Sequence, residues 1–230
     1  GAGDPTLAPC APASSEPGEP LLRWLEEFVN RLESGVYAAF PIGPDTDPAG
    51  PLMHPWGATA GICLFPQRGP LFATAVTRGV EVRGSAVHMP EYDHSHYGWT
   101  YSIRFRLLGT AEQRGFQTCQ LKRRHWVIQH EDAEPEHVEG EGVLGGALFP
   151  ILNDTGWISN RESDPTGAGP AGPRQLPAPF VYQSSWRPGP GSGSFGGTLT
   201  FVPGTIKKPK GLPFQVTVAP FPLAREEFVY

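Results

Sequence analysis

Cysteine is scarce and badly spaced for staples. The 230 residues hold three, Cys10, Cys63 and Cys119, with no CxxC pair. An odd, scattered set argues against a disulfide framework and against a zinc knuckle. Free thiols suit a reducing compartment, so an intracellular protein, cytoplasmic or nuclear, is expected. Long apolar runs are also missing; none approaches the roughly 18 residues that a membrane-spanning helix needs. Basic excess is absent: 18 Lys and Arg stand against 23 Asp and Glu, for a formal charge of −5. Neither nucleic acid nor an anionic membrane is indicated. The chain carries no GxSxG elbow and no spacing that specifies a reaction, so no catalytic residue, no metal ligand and no cofactor is assigned. Gly1 rather than Met opens the sequence, as expected of a piece of a longer protein or of a processed product.

What is abundant is glycine and proline, 29 and 27 residues, about a quarter of the chain. Both are penalised inside helices, so strands joined by long loops are favoured. Residues 1–20, rich in Pro, Ala, Ser and Glu, lack the apolar side chains needed to offset ordering entropy and read as a flexible lead-in. Leu21, Leu22, Trp24, Leu25, Phe28, Val29 and Leu32 then recur at helical spacing between Pro20 and Gly35, which predicts one amphipathic helix. A Pro/Gly-rich linker with two short apolar pieces carries the chain to residue 73.

Beyond it the period becomes two. Val80, Val82, Gly84 and Ala86 alternate with Glu81, Arg83 and Ser85, and Trp99, Tyr101, Ile103, Phe105 and Leu107 with polar residues. This is the mark of half-buried strands. Further strands are expected near 117–130, 134–139, 179–185, 197–203 and 213–221. About seven short strands without intervening helices predict an all-β, immunoglobulin- or fibronectin-like antiparallel β-sandwich over 74–224. Residues 153–178 are expected to interrupt it as a mobile surface insertion, and 225–230 to form a tail. Trp99, Tyr101, Phe105, Trp126, Tyr182, Phe201 and Phe214 are the expected core aromatics.

Two motifs bear on function. Gly140-Glu-Gly-Val-Leu-Gly145 fits GxGxxG. A dinucleotide site needs a helix after that motif, so that helix amides meet a pyrophosphate. Here Pro150 follows closely and Glu139 and Glu141 would repel phosphate, which favours a tight β-turn over an anion nest. If the nest were real, Gly140, Gly142 and Gly145 would hold the anion, with Arg123 and Arg124 supplying charge. Lys122, Arg123 and Arg124 form the one dense basic patch. In a strand, Lys122 and Arg124 share one face and Arg123 joins His125 on the other. Either a solvated sheet face or a surface for an acidic partner follows, with Lys122, Arg124 and Trp126 as the partner-binding candidates. His88, His94 and His96 read as a hydrated loop, since zinc needs a closed ligand set.

The ordered blocks Val76–Arg83, Arg124-His-Trp-Val-Ile128, Val138–Gly145, Phe180-Val-Tyr-Gln-Ser184 and Pro213-Phe-Gln-Val to Leu223 resemble the ApaG domain. The flanking Leu21–Glu27, Ile62-Cys-Leu-Phe-Pro66 and Thr200-Phe-Val-Pro-Gly204 resemble F-box proteins of plants and animals that end in an ApaG domain, residues 21–73 matching the end of a SUKH-type region. The resemblance implies a non-catalytic interaction module that recognises substrate in a cullin-type ubiquitin ligase. An upstream F-box would contact the Skp adaptor. Two other roles stay open: an architectural docking subunit of a larger assembly, and a nucleotide or pyrophosphate module working through the glycine-rich loop.

Overall fold

The computed structural model describes residues 19–41, 60–89, 98–130, 134–143, 146, 148–159, 174–176, 178–186, 193–224 and 226. The lead-in to residue 18, most of the linker, His94, His96, Gly145 and nearly all of the expected tail lie outside them. In chain order the elements are α1 (Glu19–Glu33), β1 (Ala38–Pro41), β2 (Ala60–Cys63), β3 (Phe72–Thr77), β4 (Val80–His88), β5 (Trp99–Leu107), α2 (Ala111–Arg114), β6 (Cys119–His130) and β7 (Glu136–Glu141). They continue with β8 (Ile151–Asn153), β9 (Gly156–Ser159), β10 (Arg174–Leu176), β11 (Phe180–Trp186), β12 (Gly193–Pro203) and β13 (Phe214–Leu223).

Two antiparallel sheets pack face to face. One has the order β10-β9-β8-β6-β12-β13, with β7 paired to β6 alongside β8; the other has the order β11-β5-β4-β3. This is the expected sandwich, with eleven strands in its two sheets rather than about seven. The surplus is β3, which straddles the end of the stretch read as linker, and β8, β9 and β10, which have three or four residues each and are too short to show a period. β8, β9 and β10 fall in or beside the stretch expected to be a mobile insertion. Trp157 of β9 is buried there, with its ring centroid 4.7 Å from that of Phe180, while residues 160–173 lie outside the described ones.

All seven predicted core aromatics are buried. Phe105 meets Phe180 at 4.6 Å and Phe201 at 5.6 Å between ring centroids, so this contact ties the two sheets together. Truncating one such ring to Ala costs about 3–5 kcal/mol. The expectation of half-buried strands fails for β4 and β5. Glu81, Ser85, Ser102 and Arg104, on the face away from the core, are buried too. The end of β2 and the segment after it cover that face: Arg104 donates to Cys63 Sγ at 3.0 Å and its guanidinium lies 6.0 Å from the Phe65 ring centre. Distant covering residues leave no trace in local alternation.

α1 is held at its last turn. Buried Arg31 donates to Tyr37 Oη at 2.9 Å and pairs with Glu27 and with Glu226 near the end of the chain. Leu21 and Leu22, early in the helix, are 61% and 62% exposed. Among the described residues no helix is long and apolar enough to cross a membrane.

Candidate functional site

β6 is the longest strand, 12 residues, and it places every described candidate side chain. On one flank it pairs with β12, where the register shifts between Thr200 and Phe201: Arg123 stands opposite Thr200, and Leu121 opposite Phe201. Lys122 is the extra residue of this bulge. Leu121 and Trp126, five positions apart, are consequently both buried, which strict alternation forbids. The simple rule that set Lys122 and Arg124 on one face therefore does not hold across this point.

On the other flank Arg124 stands opposite Gly140 of β7. Its Nη1 donates to the carbonyl oxygens of Glu141 at 3.0 Å and Gly142 at 2.8 Å. A Cβ at residue 140 would sit 2.8 Å from that guanidinium, so glycine there lets the side chain lie across β7. Gly142 adopts φ +52° and donates to Lys122 O at 2.9 Å. Val143 then donates to Leu148 O at 2.8 Å and Leu148 back to Val143 O at 3.2 Å. The motif leads into a hairpin turn, and among the described residues Leu148–Pro150 and then β8 follow it. Arg124 spends donors on this turn. Arg123 pairs with Glu139 at 3.1 Å, both side chains more than half exposed, a pair that contributes little. Gly145 is outside the described residues.

Trp126 is 3% exposed, and its indole Nε1 is buried with no hydrogen-bond partner. Its ring lies 5.4 Å from Phe195 and 6.4 Å from Tyr101. The hydroxyls of Tyr101 and Tyr182 are 3.4 Å apart. Burial first, then the Tyr182 neighbour, pushes the Tyr101 hydroxyl well above the ordinary tyrosine range, so it stays neutral. Three polar tips thus end inside an otherwise apolar floor.

That floor lies between two sheet margins. β7 pairs only with β6, and β11 only with β5, so each leaves one main-chain edge without a described partner strand. Sequence reasoning missed this, since pairing is a property of register. It missed also His125 and His137, twelve residues apart, whose Nε2 and Nδ1 meet at 2.9 Å. His88, by contrast, packs tilted against Trp99, with 5.1 Å between ring centroids. Among the described residues no three His, Cys, Asp or Glu side chains converge.

Residues 88–155 match the ApaG domain. The F-box protein SKIP16 of Arabidopsis thaliana is 30% identical over 97% of this chain and 47% of its own length, so the chain spans about half of that relative. Protein ApaG of Rhodopseudomonas palustris strain TIE-1 is 30% identical over 41% of this chain and 81% of its own length. The crystal structure of a Bordetella pertussis protein described as ApaA has a TM-score of 0.44 and 22% identity, covering 63% of this chain and 92% of that one.

Proposed function

The chain belongs to the ApaG domain family, and from that premise we propose that it is a non-catalytic protein-interaction module that captures an extended peptide at the open side of its sandwich. The observation that carries this is the pair of margins without a described partner strand, β7 and β11, flanking a floor with an orphaned indole N–H. An extended peptide adds to such an edge by main-chain pairing, while pockets beside it read alternate side chains. Arg124 holds the β7 edge in shape through the Glu141 and Gly142 carbonyls. Lys122, at the bulge, adds positive charge beside it for an acidic partner, and Trp126 anchors the floor.

The similarity to SKIP16, an F-box protein, over nearly the whole chain supports a finer reading. The module recognises substrate within a cullin-type ubiquitin ligase whose Skp adaptor is bound by an F-box elsewhere in the protein. Purifying the protein from its native cells and identifying what accompanies it tests this. Skp adaptor and cullin are the expected companions; one stoichiometric large complex without them points to an architectural subunit instead. Hydrogen exchange on the recovered complex tests the surface. Slowed exchange in β7 or β11 is expected, and slowed exchange confined elsewhere would overturn the edge-capture reading. A nucleotide reading requires the anion at Gly140–Gly146 to compete with two carbonyls for Arg124 and to face Glu139 and Glu141. Thermal stabilisation by ATP or a diadenosine polyphosphate, lost in Gly142→Asp, would reassign the site.

A further inference from the structure

β3 and β4 meet in a two-residue turn. Thr77 stands opposite Val80, and the residues between them, Arg78 and Gly79, have φ +48° and +75°. Both places of such a turn need the left-handed region, which glycine and asparagine enter at little cost and arginine does not. Among the described residues Arg78 is the one non-glycine residue with positive φ. Its guanidinium lies 4.6 Å from the ring centre of Phe214 and 5.7 Å from that of Phe116. Stacking of this kind uses the flat face of the group. Its N–H groups have no hydrogen-bond or ion-pair partner among the described residues, and the residue is exposed.

Phe214 opens β13 directly after the loop 204–213, so Arg78 and that loop occupy one end of the sandwich. The loop is braced. Gly204 donates to Thr118 O at 2.8 Å, Lys210 to Pro203 O at 2.8 Å, and Ile206 to the side-chain oxygen of buried Gln120 at 2.8 Å. It carries Lys207, Lys208 and Lys210, all exposed, and beside them Leu212, 86% exposed. No Asp or Glu stands between Asp164 and Glu226 in the sequence, although the chain as a whole is acidic. Asp154, which reaches this end from the turn between β8 and β9, is spent on Arg114. We propose that this end of the sandwich binds an acidic segment of a protein partner, with Arg78 gripping a carboxylate and Leu212 meeting an apolar side chain. A guanidinium offers a two-pronged edge that matches a carboxylate. A loop already fixed by hydrogen bonds loses little freedom on binding, and a strained residue held in place by its surroundings suits a ligand clamp. The surface is made of other residues than the β7 and β11 margins and does not depend on peptide capture there.

The test is fluorescence anisotropy of a short labelled peptide, glutamates around one central leucine, titrated with the whole chain. Saturable binding that weakens as salt screens the charges is expected. Arg78→Gly should weaken it about tenfold, the scale of one charge-assisted bidentate pair. Glycine suits φ +48°, so the variant should keep its Tm, and the loss then reports recognition and not folding. Lys208→Gln/Lys210→Gln, at two exposed positions, should weaken binding about fivefold. Arg124→Met should leave the affinity for this peptide unchanged. No saturable binding by wild type would overturn the proposal, as would unchanged affinity in Arg78→Gly or in the double lysine variant. Loss in Arg124→Met alone would move the peptide to the β7 margin and overturn it too. So would tighter binding of single-stranded RNA or of phosphatidylserine vesicles that Arg78→Gly abolishes, since this end would then serve another class of partner.

Discussion

The sandwich has two long sides, and they differ. On one side β13 meets β3 and β4: Thr217 N donates to Thr77 Oγ1 at 3.2 Å, and a Cβ added at Gly84 of β4 would overlap the ring of fully buried Phe221. On the other side β7 and β11 each end their sheet without a described partner strand. The sealed side is made of apolar contact at van der Waals limit. The open side is made of main-chain groups, an arginine brace and polar tips. Packing that leaves no room stabilises a fold, and unspent main-chain hydrogen bonds offer a surface.

The largest expected effect breaks the sealed side. Gly84→Val places a branched side chain where Phe221 sits, and overpacking of this kind costs about 3 kcal/mol. Urea unfolding should show the midpoint falling with an unchanged slope. A stable Gly84→Val variant would mean the two sheets are not closely packed there.

A smaller effect sharpens the open side. Arg124→Met removes the charged donor from the Glu141 and Gly142 carbonyls and should cost about 2 kcal/mol, the scale of hydrogen bonds made by charged groups. Arg123→Met, which loses only the exposed pair with Glu139, should stay within about 0.5 kcal/mol. Equal costs for the two would remove the distinction between brace and surface pair. The partner's affinity should fall in Arg124→Met alone.

The smallest effect is confined to acid and belongs to the outer face of β4. Burial works to raise the Glu81 carboxyl, but hydrogen bonds from Arg106 and Arg83 outweigh it and hold the group below its ordinary value of 4.5. A depressed carboxyl adds stability that is full above its unfolded value and lost as pH falls through the folded one. Glu81→Gln should therefore flatten the decline of Tm below about pH 4.5 and leave the neutral-pH cooperativity intact. An unaltered acid limb would show that Glu81 does not contribute to it.

Much of the sheet was legible in the residues. Strong period-two runs at 80–86 and 99–107 became β4 and β5, and the helical spacing from Leu21 to Leu32 became α1. The short strands β8, β9 and β10 were hidden, because three or four residues among Gly, Pro and Asp carry no period. α2 was hidden as well; four residues form it, with a capping box between Thr110 and Gln113 and Gly115 in the left-handed region. The bulge at Lys122 left no mark, since one extra residue shows only against a partner strand.

The amino-acid sequence by itself determined the class of fold, the aromatic core and the turn at Gly140–Gly142, because alternation, ring size and the missing Cβ act locally. Only the tertiary structure decided which side of the sandwich is sealed, where the Arg124 guanidinium donates and that His125 meets His137. Those depend on register and on closure between strands distant in the chain, and such pairings are set by the balance of the whole core, not by any one segment's preference.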